Sequence, residues 1–124
     1  MTIETHKSIV RRFFMDVLTA GKMEVLEDIL APDCTYTDGG QLKYTTRVDF
    51  TNYVSEARKE FIKTKVIIED IIAEGDSIAV RCTYHLETER KRYVIPVMGI
   101  FHFRSGKIAE IWRNTAASDD SELS

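Results

Sequence analysis

Residues 92–117, RYVIPVMGIFHFRSGKIAEIWRNTAA, read as two long strands joined by a turn at Arg104-Ser105-Gly106. Both arms alternate with period two, yet the first arm is apolar on both faces. Val97 and Phe101 share one side, and Val94, Met98 and Ile100 share the other. A sheet with one solvated face alternates apolar with polar residues, so both faces of this one are expected to be covered. The chain's own helices can cover one face. A second copy can cover the other, which predicts a homodimer through the outer sheet face, where Trp112 would join the apolar set.

The length of the turn decides which residues of the last strand share a face. A two-residue loop, Ser105-Gly106, pairs Arg104 with Lys107. A three-residue loop with Gly106 in the left-handed position pairs Phe103 with Lys107 and turns every later side chain to the opposite face. The longer loop puts Ala109 and Ile111 beside Phe101 and Gly99, and Trp112 beside Met98. Arg113 then faces inward beside Val97, where a charge is costly unless it is paired or meets a ligand. In the other register Arg113 is solvated.

Upstream of this hairpin, residues 64–73 and 77–88 are two further strands, bounded by Gly75-Asp76 and by 89–91. Before residue 64 the pattern is helical. Ile9, Val10, Phe13, Phe14, Val17 and Leu18 recur at helical spacing over 5–20, and Gly21 suits the helix end. Residues 23–30 form a second short helix expected to stop at Pro32. A brief strand, 34–38, breaks at Gly39-Gly40, and a polar loop leads to Thr46. Thr46 and Asp49 make a capping box for a third helix, with Phe50, Tyr53, Val54, Ala57 and Phe61 on one face. Helices first and antiparallel strands afterwards is the α+β pattern: three amino-terminal helices packed in the concave face of a strongly curved, mostly antiparallel sheet.

At 124 residues and 44% hydrophobic the chain suits a single domain over 1–117, with 118–124 a disordered acidic tail. The tail carries Asp119, Asp120 and Glu122, so the 17 basic and 20 acidic residues balance at 17 each in the body. That neutrality argues against nucleic acid as a partner. MTIETHKS lacks a signal peptide's apolar run and no stretch is long enough to span a bilayer, so a cytoplasmic protein without a membrane partner is expected. Cys34 and Cys82 have neither metal-ligand nor disulfide spacing and read as buried thiols. His85 and His102 lie too far apart along their strands to share a metal. No metal or cofactor is expected.

The opening helix followed by AGKMEVLEDILAPDCTYTDGG, then GDSIAVRCTYH, and finally FHFRSGKIAEIW, resembles the SnoaL-like polyketide-cyclase family of the nuclear-transport-factor-two-like superfamily. The likeness covers roughly 8–117 and rests on the Ala-Gly turn, on Asp33 and Asp38 around the first strand, and on SGKIAEIW. It implies a cone whose sheet wraps a long helix, with an apolar pocket at the open end and dimers through the outer face. Asp38 falls where ketosteroid isomerase, a relative, has its general base. That enzyme's oxyanion-stabilising tyrosine aligns near Phe14 and its protonated aspartate near Gly99, and neither residue can donate. The cyclases' acid/base residue after the last tryptophan is replaced by Arg113-Asn114-Thr115.

Two functions stay open. One is a cyclase- or isomerase-type enzyme moving a proton on a small apolar carbonyl compound, with Asp38 as base and Arg113 stabilising developing negative charge. The other is a ligand-binding or dimerisation module without chemistry. In either case the ligand is expected among Phe14, Val17 and Leu18 of the first helix, Phe50 and Tyr53 of the third, and Val97, Gly99, Phe101 and Ile111 of the hairpin. Cys82 and Tyr84 share their strand face with Val80 and join this set. Asp38 beside Gly39-Gly40 also suits a plain turn residue.

Overall fold

The computed structural model describes residues 2–115 and 122–123. Helix α1, Ile3–Arg12, starts where the Thr2 hydroxyl accepts the Thr5 amide. It runs without a break into a π-helical segment, Phe13–Thr19. The wider turn is visible in bonds five residues apart, from the Ala20 amide to the Met15 carbonyl and from the Thr19 hydroxyl to the Phe14 carbonyl. Arg58 closes the segment, donating Nε to the Leu18 carbonyl at 2.9 Å and Nη2 to that of Thr19 at 3.1 Å. Gly21 is required twice over, by φ 77° and because a Cβ there would lie 2.5 Å from the Arg58 guanidinium.

Helix α2 is Val25–Ile29 and strand β1 is Leu30–Asp38. The helix therefore ends before Pro32, and the strand begins four residues earlier than the sequence suggests. Proline is tolerated because β1 pairs in parallel with the last long strand at Leu30↔Ile108 and again only from Thr35↔Glu110. Pro32 sits in the unpaired interval, where a missing N–H costs nothing. Gly39 and Gly40, at φ 59° and 81°, form a tight turn into β2, Gln41–Tyr44, in place of the expected loop. This edge strand is mostly exposed, so no apolar alternation marked it. Helix α3, Arg47–Arg58, is capped by Thr46, whose hydroxyl accepts the Asp49 amide.

Strands β3 (Lys63–Glu74), β4 (Ser77–Glu87), β5 (Arg92–Arg104) and β6 (Lys107–Thr115) follow as a meander. The sheet order is β2-β1-β6-β5-β4-β3, with β1–β6 its parallel pair. Helix α3 packs on β1 near one edge while the π-helical segment packs on β3 at the other, so the sheet must curl around the helices. It is curled but not closed. This is the expected α+β cone. Of the expected tail, only Glu122–Leu123 is described, as β7 paired with Arg92 and Tyr93; the rest lies outside the described residues.

The hairpin reached the expected faces by a different route. Arg104 pairs with Lys107 across a two-residue turn, with Ser105 at φ 52° and Gly106 at φ 79°. The three-residue loop is thus incorrect. The pairing then jumps from Phe103↔Ile108 to His102↔Glu110, leaving Ala109 as an extra residue on β6. One bulged residue restores the parity that the shorter turn had reversed. Ile111 pairs with Phe101 and Trp112 with Ile100, and Arg113 stands opposite Gly99 rather than beside Val97. At the narrow end, Asp33 forms an ion pair with Arg104, tying β1 to this turn.

Candidate functional site

Between helices and sheet lies a cavity of about 380 Å³. From the helical side Phe14, Leu18, Phe50 and Tyr53 line it, and from the sheet Tyr84, Val97, Gly99, Phe101, Ile111 and Arg113 do so. Nine of the eleven residues proposed as ligand contacts therefore converge on it. Val17 and Cys82 are buried in the core and contribute no wall. Phe13, Tyr36 and Ile95 line the cavity without having been singled out. Tyr36 was the most legible omission, since it lies two residues before Asp38 on a strand and so shares its face.

Nine aromatic residues stand in the wall. The Tyr36 ring lies 4.9 Å from Phe50 and 5.5 Å from Tyr53 between centroids, and Phe101 packs edge-on against Phe13 and Phe14 at 5.4 and 5.7 Å. A Cβ at Gly99 would approach the Trp112 carbonyl oxygen to 3.0 Å, so the close passage of β6 calls for glycine.

The polar end is built by the parallel pairing, which sets Asp38 of β1 directly beside Arg113 of β6. Arg113 Nη2 donates to Asp38 Oδ2 at 2.7 Å, and the Tyr36 hydroxyl donates to the same oxygen at 3.2 Å. The Asp38 carboxylate is thus held by one side chain from the neighbouring strand and one from its own. Asp38 does not line the main cavity; with Gly39, Gly40, Asn114 and Thr115 it lines the adjoining rim, and Arg113 faces both spaces. Arg113 Cζ stands 5.9 Å from the Tyr36 ring centroid, and its Nε is buried without a partner.

Burial disfavours the Arg113 charge, but the oxygens of Tyr36, the bonded Asp38 and the neighbouring Tyr53 and Tyr84 more than offset it, so the guanidinium holds its proton more firmly than usual. Burial pushes the phenols of Tyr36 and Tyr84 up, keeping both protonated. Cys34 and Cys82 are free buried thiols, pushed up to about 12 chiefly by burial. His102 shares a hydrogen bond of 2.8 Å with Ser77, and His6 stacks on Phe103 at 4.0 Å. Among the described residues no cluster of three His, Cys, Asp or Glu is placed to hold a metal, and no helix is long and apolar enough to cross a membrane.

The structure is an α+β cone that encloses a cavity rich in aromatic residues, with an Arg–Asp pair at its mouth. The model of the SnoaL-like domain matches residues 10–111, and the chain belongs to that family. An M. tuberculosis LEH-like epoxide hydrolase is similar in fold, with TM-score 0.80 and 18% identity over 91% of this chain and 84% of its own. A candidate SnoaL-like polyketide cyclase from Jannaschia sp. CCS1 superposes with TM-score 0.80 and 15% identity over 90% and 85%. A Catenulispora acidiphila protein with a ketosteroid isomerase-like fold, solved with trimethylamine, gives 0.76 and 19% over 93% and 88%. At these identities the likeness is one of fold. A search of curated proteins by sequence finds no match.

Proposed function

We propose that the chain binds a small, mainly apolar carbonyl compound in its aromatic cavity and moves a proton on it, as a cyclase or isomerase does. The observation that carries this reading is the Asp38–Arg113 pair, with Arg113 in the wall of a mainly apolar cavity and Asp38 on the adjoining rim. Arg113 receives the carbonyl oxygen through its guanidinium, which lines the cavity. Asp38 accepts a proton from the carbon next to the carbonyl: the C–H bond breaks, an O–H bond forms on the carboxylate, and the electron pair moves to the oxygen held by Arg113. Return of the proton to another carbon gives isomerisation. Attack of the enolate carbon on a second carbonyl closes a ring: a C–C bond forms, the π electrons of that carbonyl move to its oxygen, and the alkoxide takes the proton held on Asp38. Tyr36 holds Asp38 in place.

The test uses a panel of aromatic ketones and β-keto esters, incubated with protein in D2O and followed by proton NMR. The wild type should accelerate loss of the proton next to the carbonyl, and Asp38→Asn should lose about 10²-fold or more of that acceleration while still binding. Failure of the wild type to accelerate exchange in any compound that it binds would discard the catalytic role.

That outcome would leave the binding module, which two observations favour. Asp38 Oδ2 already accepts two hydrogen bonds, and no carboxylate follows Trp112 in Arg113-Asn114-Thr115. We also assign the outer sheet face to a homodimer, because Met98, Ile100 and Trp112 are exposed side by side on β5 and β6. Light scattering at micromolar concentration should return twice the chain mass; a monomer rejects the assignment. The two free thiols fit a reducing, cytoplasmic setting.

A further inference from the structure

The catalytic reading gives the developing negative charge to Arg113 and names no second donor. The two positions where a relative would carry donors are Phe14 and Gly99, and both are silent here. Among the donors in the cavity wall, Tyr84 and Arg113 stand together on the sheet. Tyr84 of β4 lines the wall, half-buried, with its ring edge against Phe14 at 6.5 Å and its hydroxyl beside the Arg113 guanidinium. Arg113 has one nitrogen committed to Asp38 and a buried Nε with no partner. The Tyr36 hydroxyl is already spent on Asp38.

Resting on the proposed binding of a carbonyl compound, we infer that Tyr84 and Arg113 together receive a single anionic oxygen, so that the cavity selects phenolates and enolates over the corresponding neutral phenols and ketones. A phenolate oxygen has lone pairs for both donors at once, whereas a neutral phenol brings a proton that Arg113 cannot accept and that Tyr84 accepts only by turning its own hydroxyl away from donating to the ligand. Burial holds the Tyr84 proton on its oxygen, which keeps that residue a donor. An organic cation is disfavoured at this end by Arg113. The aromatic wall accepts the flat ring in either protonation state, so the preference belongs to the two donors.

The probe is 4-nitrophenol, whose ionised form alone is yellow, titrated with protein at a pH where the free probe is mostly neutral. Binding to the wild type should deepen the colour, lowering the probe's apparent pKa by at least one unit, which is a tenfold preference for the anion. Tyr84→Phe keeps the ring packing against Phe14 and should cut that preference about tenfold. Arg113→Met should abolish it. A bound probe that keeps its free pKa, or a Tyr84→Phe protein that keeps the full preference, would overturn the inference and leave cavity binding standing. A neutral fluorescent naphthylamine separates the two failures. If it binds while nitrophenol does not, selection for anions falls alone; if neither binds, the proposed ligand site falls with it.

Discussion

Replacing Arg113 by methionine keeps the length of its aliphatic stem while removing the charge beside Asp38. The carboxylate is then left with the Tyr36 hydroxyl at 3.2 Å as its remaining side-chain donor. Breaking a fully buried pair costs about 3–5 kcal/mol, and an exposed pair is worth about 0.2–1 kcal/mol. Here the side chains are 26% and 24% exposed, so water reaches both and the loss should fall between, at about 2 kcal/mol. For a chain of 124 residues this corresponds to a fall in Tm of about 8 °C. Asp38→Asn keeps an acceptor for both donors but removes the charge, and should cost about 1 kcal/mol. The double variant should be little worse than Arg113→Met alone, giving a coupling of about 1 kcal/mol. Urea unfolding at a fixed protein concentration, with an unchanged m-value, measures all four forms. Additivity of the single effects to within about 0.3–0.5 kcal/mol would show that the two side chains do not act as a pair.

Gly40→Ala should destabilise by about 1–2 kcal/mol in the same assay, because its φ of 81° is left-handed and a Cβ there meets nothing within 4 Å. Stability should also fall in alkali. The folded-state thiols of Cys34 and Cys82 are raised from 9.0 to about 12, so above pH 9 the unfolded chain binds fewer protons than the native one, and stability present below that pH is lost as it rises towards 12. Replacing both cysteines by alanine should flatten this slope, and an unchanged slope would remove them as its source. Trp112→Glu places a charge in the exposed apolar set and should shift light scattering to the monomer without changing the far-ultraviolet circular dichroism; a persistent dimer would locate the interface elsewhere.

The architecture was legible because local signals agreed with one another. The strands from residue 63 onward alternate along their length, and their turns are marked by glycine at 75 and 106. The residues facing the cavity followed from the same alternation. What could not be read was pairing between segments distant in sequence. Pro32 looks like a helix stop until the gap in the β1–β6 ladder is known, and Gln41–Tyr44 looks like a loop until Gly39-Gly40 folds it back on β1. Asp38 was equally readable as a turn residue. Only the parallel register of β1 on β6 puts it beside Arg113.

The bulge at Ala109 carries more of the site than its own contacts indicate. Ile108 and Ala109, neighbours in sequence, are both buried, which a regular strand with one solvated face does not allow. By absorbing one residue, the bulge sends Ile111 and Arg113 inward and Glu110 and Trp112 outward, although the tight turn at Ser105-Gly106 alone would have done the reverse. The same two strands therefore present a cavity wall on one side and the exposed apolar set of Met98, Ile100 and Trp112 on the other. Adjacent residues serve opposite faces, Gly99 beside Met98 and Arg113 beside Trp112. A second copy seated on the outer face would restrain the backbone that positions Arg113, so the wall of the cavity and the proposed dimer surface are two sides of one element.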